Sequence, residues 1–281
     1  MLPSLVLEPP NGEGWIHEIK FDGYRTLLVI EDGAARAFTR NRFDWSDLYR
    51  PIVEAACKLR CRSAVIDGEV VVLDDAGRSD FYAVKTAISL RGRGLVFIAF
   101  DLMFLDGRDL RGVALEEHRA ELRRLIPRSS KSRLQFSEEI VGEGLKVFAS
   151  AEQLGLEGIV SKRIGSHYRS GRVDTWRKVK CWTESALVLI GTEIDKRSGA
   201  PMALLARQDE EGLRYAGDAF FALKNARDSP RARKARLSTD RSPIPALRKR
   251  NTQWNQAGAR RRCAASPRRR CAPVRDRKGF A

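Results

Sequence analysis

Residues 17 to 26 read HEIKFDGYRT, setting a lysine, an aspartate and an arginine around a glycine directly after an apolar, strand-like run. Four further fragments share that character. AVIDGEVVV places Asp67 and Glu69 two apart, on one face of a strand. EGIVSKR offers Glu157 directly after a helix cap, and FIAFDLM carries Phe100 among alternating strand residues. TWRKVKC puts Lys178 and Lys180 on one strand face, with Arg177, Val179 and Cys181 on the other. Singly, each pattern has an ordinary explanation. D-G is a common hairpin turn, carboxylates near turns are solvated, alternating lysines mark a wet sheet face, and a strand phenylalanine is core. Together they fit one chemistry. A triphosphate needs cations, for which Arg25, Arg40, Lys178 and Lys180 are candidates. A divalent ion on that phosphate needs hard oxygen ligands, and Asp22, Glu69 and Glu157 supply them. A purine needs an aromatic face, and a covalent step needs a nucleophile.

Lysine suits the nucleophile's role only as the free amine. Its reference pKa is about 10.4, so metal and arginine charge nearby would have to depress it. Carboxylates alone would push it the other way. The constellation therefore makes sense as a catalyst only with Mg²⁺ or Mn²⁺ present.

The elements that must position these residues follow from the patterning. GWIHEIK and YRTLLVI are strand-like, and EDG at 31–33 is a hairpin turn into AARAFTR. SAVIDGEVVVL and LVFIAFDLMFL are rich in β-branched and aromatic residues, and each closes on an aspartate-containing turn. Helical periodicity appears at 51–60, opened by Pro51, and at 115–126 and 143–155, the last ending on Gly155 as a cap. Short strands joined by hairpins and interrupted by helices predict an α+β domain built on antiparallel sheets. SALVLIGTEI and PMALLAR read as strands of a second, smaller β unit.

The formal charge of +16 is uneven. Residues up to Leu223 carry 33 Lys/Arg and 33 Asp/Glu, whereas the remainder carries 19 against 3. The basic character belongs to the tail, and the body is a balanced globular sequence. Five scattered cysteines argue against a disulfide framework and fit a reducing compartment. Cys57 and Cys61 share a helical face, but no second pair or histidine cluster completes a zinc site. No apolar run approaches the roughly 20 residues of a membrane span, and the N-terminus lacks a charged-then-apolar leader. The expectation is a soluble cytoplasmic protein with no membrane partner.

EIKFDGYR, FTRN, DGE, FDLMFLDG, EGIVSKR and TWRKVKC occur in the order and approximate spacing of the covalent nucleotidyltransferases. The chain most resembles ATP-dependent DNA ligases, particularly the ligase domain of bacterial break-repair ligases, over residues 1 to about 216. That resemblance implies a nucleotidyltransferase domain of antiparallel sheets flanked by helices, followed by a small β-barrel of the OB-fold type. It implies ATP as the adenylate donor, Mg²⁺ or Mn²⁺ as the metal, and Lys20 and Asp22 as the catalytic pair. Lys20 would attack the α-phosphorus, the adenylate would pass to a 5′-phosphate, and a 3′-hydroxyl would displace AMP. Glu18 would lie near the adenine edge, Arg25 and Glu69 near the ribose, and Phe100 would stack on the base. Arg40, Arg172, Lys178 and Lys180 would hold phosphates, while Asp22, Glu69 and Glu157 would position the metal directly or through water. The Asp22-Gly23 pair would turn the chain so that Lys20 projects into the pocket. The implied partners are nicked or broken double-stranded DNA and a DNA-end-binding protein, with the chain acting as a monomer at the bacterial nucleoid.

Two features depart from the pattern. Relatives commonly have glycine after the RN pair, where this chain has Arg42 in TRNRFDW; an exposed loop position in solvent is the expectation. The second concerns the barrel. LRYAGDAF begins in family style, TDRSPIPALRKRNTQW at 239–254 resembles the family again, and the Arg-rich runs around it do not. Local reading-frame slips would produce such an alternation. The expected division is an adenylation domain at 1–182, an incomplete OB-fold-like domain at 183–257 and a basic, disordered tail at 258–281. Two alternatives to a nick-sealing enzyme remain open at this point: a catalytically impaired nucleic-acid-binding remnant, and an RNA ligase or GTP-using capping enzyme.

Overall fold

The computed structural model describes residues 1–90, 92–181, 183–196, 198–220, 238–239, 242–244, 247, 253–255 and 260–265, with backbone alone at 183–186, 238–239, 253, 255 and 260–265. The Arg-rich run at 229–237, most of 239–254 and the chain beyond residue 265 lie outside the described residues. So the readings made of them, frame slips included, do too. Two compact units divide the chain, Met1–Cys181 and Trp182–Ala281.

Two sheets build the first unit. One runs in the order β1 (Leu2–Leu5), β11 (Arg172–Lys180), β10 (Gly158–Arg163), β2 (Trp15–Ile19) and β9 (Glu139–Ile140), all antiparallel except β1 against β11. The other runs β4 (Ala34–Thr39), β3 (Tyr24–Glu31), β5 (Ser63–Val71), β6 (Val96–Leu105) and β7 (Arg108–Asp109), with β8 (Leu134–Phe136) parallel to β6. The β3–β4 hairpin turns on Asp32 and Gly33, at φ 46° and 80°. Both central residues are left-handed, as an Asp-Gly hairpin requires.

Period-2 alternation decides what each strand buries. Leu28 and Ile30 of β3, Ile66 and Val70 of β5, and Phe97 of β6 form one apolar face. Against it pack α1 (Arg50–Ala56) through Ile52 and Ala56, α2 (Phe81–Ser89) through Val84 and Ala87, and α3 (Leu115–Leu125) through Leu122. Pro51 sits in the first turn of α1, where its missing N–H costs nothing. The sheet of β2, β10 and β11 is covered on one face by α4 (Gly144–Gln153), whose Val147 and Ala151 meet Ile159, Val179 and Cys181. Gly155 follows α4 with φ 67°, the expected left-handed cap. Parity then puts Glu18, Lys162, Trp176, Lys178 and Lys180 on the opposite face of that sheet.

The second unit holds a six-stranded antiparallel sheet: β12 (Thr183–Ile194), β13 (Pro201–Asp209), β14 (Gly212–Phe220), β15 (Ser238–Thr239), β16 (Gln253–Asn255) and β17 (Arg260–Ala265). Residues Ala203 to Ala206 of β13 are buried on both faces. Leu204 and Ala206 join Val188, Ile190 and Trp254 on one side, and Ala203 and Leu205 join Leu187 and Ala216 on the other. Arg260–Ala265, within the stretch read from composition as a tail, pairs with Thr183–Val188. Among the described residues no helix is long and apolar enough to cross a membrane.

Candidate active site

Strand β2 ends at Ile19 in one sheet and β3 begins at Tyr24 in the other, so residues 20–23 carry the chain between the sheets. Lys20 and Asp22 lie on that crossing. Gly23 is absent from the positive-φ residues, so its place here does not rest on a left-handed conformation. Its requirement is steric, because a Cβ there would come within 2.1 Å of the Val70 carbonyl oxygen. Asp22 is buried, and its amide donates to Ser79 Oγ at 2.8 Å.

The Lys20 amide donates to the Gly158 carbonyl at 2.9 Å, tying the crossing segment to the start of β10. Its side chain donates from Nζ to Glu157 Oε2 at 2.5 Å, and Lys180 Nζ lies 3.5 Å from Glu157 Oε1. Glu157 is thus bracketed by two lysines, with its side chain 2 % exposed. Gly158 makes this possible. At φ 146° it lies so close to β11 that a Cβ would sit 2.0 Å from the Val179 carbonyl oxygen.

On the facing sheet, Arg25 donates to Asp67 through Nε at 3.0 Å and Nη2 at 2.5 Å, and to the Met1 carbonyl through Nη1 at 2.5 Å. Its guanidinium stands 5.6 Å from the centre of the Phe100 ring. Glu69 lies directly across the ladder from Arg25. Asp67 is fully buried, and burial pushes its carboxyl up, the Arg25 bond offsetting only part of that.

Glu18 is buried with both oxygens engaged. Oε1 accepts from Arg119 at 2.6 Å and from Lys162 at 2.5 Å, and Oε2 accepts from Ser137 Oγ at 2.7 Å. Lys162, 1 % exposed, also donates to the Phe100 carbonyl at 2.8 Å and stands 4.1 Å from the Trp176 ring centre and 5.1 Å from that of Phe100. Burial lowers its ammonium pKa, and Glu18 opposes the shift. His118 Nδ1 lies 2.6 Å from Asp101 Oδ1, both buried.

Of the residues singled out from sequence, the structure joins Lys20, Glu157 and Lys180 in one cluster, and Arg25 with Phe100 in another. Lys178 shares the Lys180 face of β11. Arg40 is exposed, its amide donating to the Arg25 carbonyl at 3.2 Å, and Arg172 is exposed at the first position of β11. Arg42 is exposed with φ 65°. Glu18 is saturated by protein partners.

Among the described residues, no three of His, Cys, Asp and Glu gather closely enough to cage a metal, so Asp22, Glu69 and Glu157 do not make a preformed three-carboxylate site. A Mg²⁺ ion carried on phosphates needs only one or two carboxylates and keeps several waters. Glu157, a buried carboxylate between two lysines, fits that smaller demand.

Sequence reading missed Lys162 and Arg119, the buried cations that hold Glu18, and the buried His118–Asp101 pair. The buried stripe of α3, Leu115, His118, Arg119 and Leu122, follows the i, i+3, i+4, i+7 spacing of an apolar face. A histidine and an arginine on that face were a readable signal.

A two-sheet α+β unit with a lysine on the crossing segment, opposite a carboxylate and flanked by cations, defines a class suited to attack on a bound phosphate. The ATP-dependent DNA ligase domain model matches residues 4–180, and the chain belongs to that family. It is 40 % identical over 264 residues to the multifunctional non-homologous end joining protein LigD of Pseudomonas aeruginosa, covering 90 % of this chain and 31 % of that protein. It is 34 % identical over 238 residues to the Mycobacterium tuberculosis LigD, covering 82 % of this chain and 30 % of that one. The chain thus spans less than a third of either curated relative. Among solved structures, a mycobacterial DNA ligase D complexed with ATP and MES superposes with a TM-score of 0.56 at 27 % identity, over 97 % of this chain and 92 % of that one.

Proposed function

We propose that this chain is an ATP-dependent DNA ligase, joining nicks in double-stranded DNA through an adenylate carried on Lys20. The observation that carries the proposal is the cluster of Lys20, on the crossing between the two sheets, with Glu157 and Lys180. In the first step the Lys20 Nζ, as the free amine, attacks the α-phosphorus of ATP and gives up a proton to solvent. An N–P bond forms, the bond to the β-phosphate oxygen breaks, and pyrophosphate leaves with its electron pair. The AMP then passes to a 5′-phosphate at the nick, and the 3′-hydroxyl displaces it.

Lys180, Lys178, Arg40 and Arg172 hold phosphates, a role that asks for charge and donors rather than covalent chemistry. Phe100 supplies the stacking face, Arg25 and Glu69 reach the ribose, and Glu18 lines the adenine end while fixed by its buried partners. Asp22, Glu69 and Glu157 would hold a Mg²⁺ or Mn²⁺ ion, directly or through water, and the ion would supply charge neutralisation on the phosphates. Residues 1–182 form the adenylation domain, and an altered OB-fold-like domain runs from 183 through β17 at Arg260–Ala265, with the basic tail after it. The relatives' names support a role in non-homologous end joining, in which the chain would act as a monomer in the bacterial cytoplasm, at the nucleoid, alongside a DNA-end-binding protein.

Labelled ATP with Mg²⁺ tests the proposal. The wild type should take covalent label and Lys20→Ala should take none. Label that persists on Lys20→Ala, or none on a folded wild type with either metal, would overturn it.

A further inference from the structure

Lys162 is the most completely buried ammonium described in the first unit, and nothing in the adenylation chemistry asks for it. A buried cation is costly unless paired and hydrogen-bonded, so its retention calls for an account. Its position supplies one. Lys162 belongs to β10, in the sheet whose strand β2 leads into Lys20, yet it donates at 2.8 Å to the backbone of Phe100 on β6, in the facing sheet. Its charge is balanced at 2.5 Å by Glu18 of β2, and its ammonium lies against the rings of Trp176 and Phe100. Arg119 of α3 donates to the same Glu18 oxygen and to the Ser137 carbonyl at 2.9 Å. One ammonium therefore ties together β2, β6, β10 and β11.

We infer that Lys162 is a positioning residue that sets the width of the nucleotide cleft, acting through Phe100 and Glu18 rather than by touching ATP. This rests on the ligase reading above, and specifies how its base pocket is held. A carbonyl bond from one sheet to the other fixes the spacing of the walls that grip a planar base. Misplacing such a wall by a fraction of an ångström weakens stacking without altering the phosphate site. The loss should therefore appear in ATP affinity, not in the rate at saturation.

The test is a double-mutant cycle on the full chain, with ATP affinity measured by calorimetry, covalent AMP uptake measured separately, and folding checked by thermal melting. Lys162→Met should raise the Kd for ATP roughly tenfold while AMP uptake at saturating ATP stays within about threefold, and Phe100→Leu should weaken binding comparably. Because Lys162 acts through Phe100, the double variant should bind no worse than about twofold below Phe100→Leu alone. Additive losses, or a Lys162→Met protein that binds ATP as the wild type does, overturn the inference. A merely structural role would lower the melting temperature without this non-additivity. If Lys162→Met does not fold, Lys162→Gln takes its place; its amide is uncharged and one bond shorter than the lysine, so the Kd for ATP should still rise, by roughly threefold, and the loss should again not add to that of Phe100→Leu. A wild type that binds ATP but takes no label refutes the ligase reading and leaves the affinity cycle to judge Lys162. A wild type that binds no ATP refutes both.

Discussion

At the scale of the residue, the cleft is a set of long cationic side chains held by carboxylates that are themselves buried. Asp67 occupies the Arg25 fork, Glu18 occupies Arg119 and Lys162, and Glu157 receives Lys20. Such pairs cost desolvation and return specificity of arrangement, which suits a site that must present charge in one geometry. Arg42 is a different kind of residue. It sits at φ 65°, a conformation open to glycine and strained for a long side chain. Arg42→Gly is expected to stabilise the fold by up to about 1 kcal/mol, read as a higher melting temperature; an unchanged or lower one would show that the loop carries no such strain. The candidate chemistry was legible in the sequence because Lys20, Glu157 and Lys180 sit in short runs with marked patterns. Its support was less so. His118 and Arg119 lie in a charge-rich stretch, LEEHRAELRR, where solvation is the ordinary expectation, and only the helical phase betrays that both face inward.

At the scale of the element, the structure turns on two crossings of the chain near Lys20: the passage from β2 to β3, and the arrival of β10 beside β11. Gly158 governs the second. Gly158→Ala would force a Cβ to 2.0 Å from the Val179 oxygen at a φ of 146°. The β10–β11 pairing must open to relieve this, at a cost of about 2 kcal/mol or more. Since Glu157 precedes Gly158, AMP uptake should fall together with the melting temperature; a variant that melts as the wild type does and adenylates normally would refute this role for the glycine. Hairpins and the helices α1, α3 and α4 were readable from local signals: Asp32-Gly33, Pro51, the apolar stripe and Gly155. Helix α2 escaped notice, although Asp80 caps it by accepting from the amides of Tyr82 and Ala83. The parallel pairings of β1 with β11 and β8 with β6 join residues far apart in sequence, and nothing local in either partner announces them.

At the scale of the whole molecule, charge and fold are distributed separately. The first unit owns its cores and its candidate site within Met1–Cys181, whereas the excess of positive charge lies after Leu223. Proteins that neutralise phosphates lose affinity as salt rises, with a slope set by the number of contacts. Ending the chain after Ala265, which keeps β15 to β17, should therefore flatten the salt dependence of DNA binding, measured by fluorescence anisotropy across a salt series. An unchanged slope would mean that the tail's arginines make no phosphate contacts. The mass of the purified protein tests the central claim most directly. After incubation with ATP and Mg²⁺ it should carry one AMP-sized increment, removed by added pyrophosphate and missing from Lys20→Ala. A folded wild type that stays at its unmodified mass with ATP bound would contradict the account.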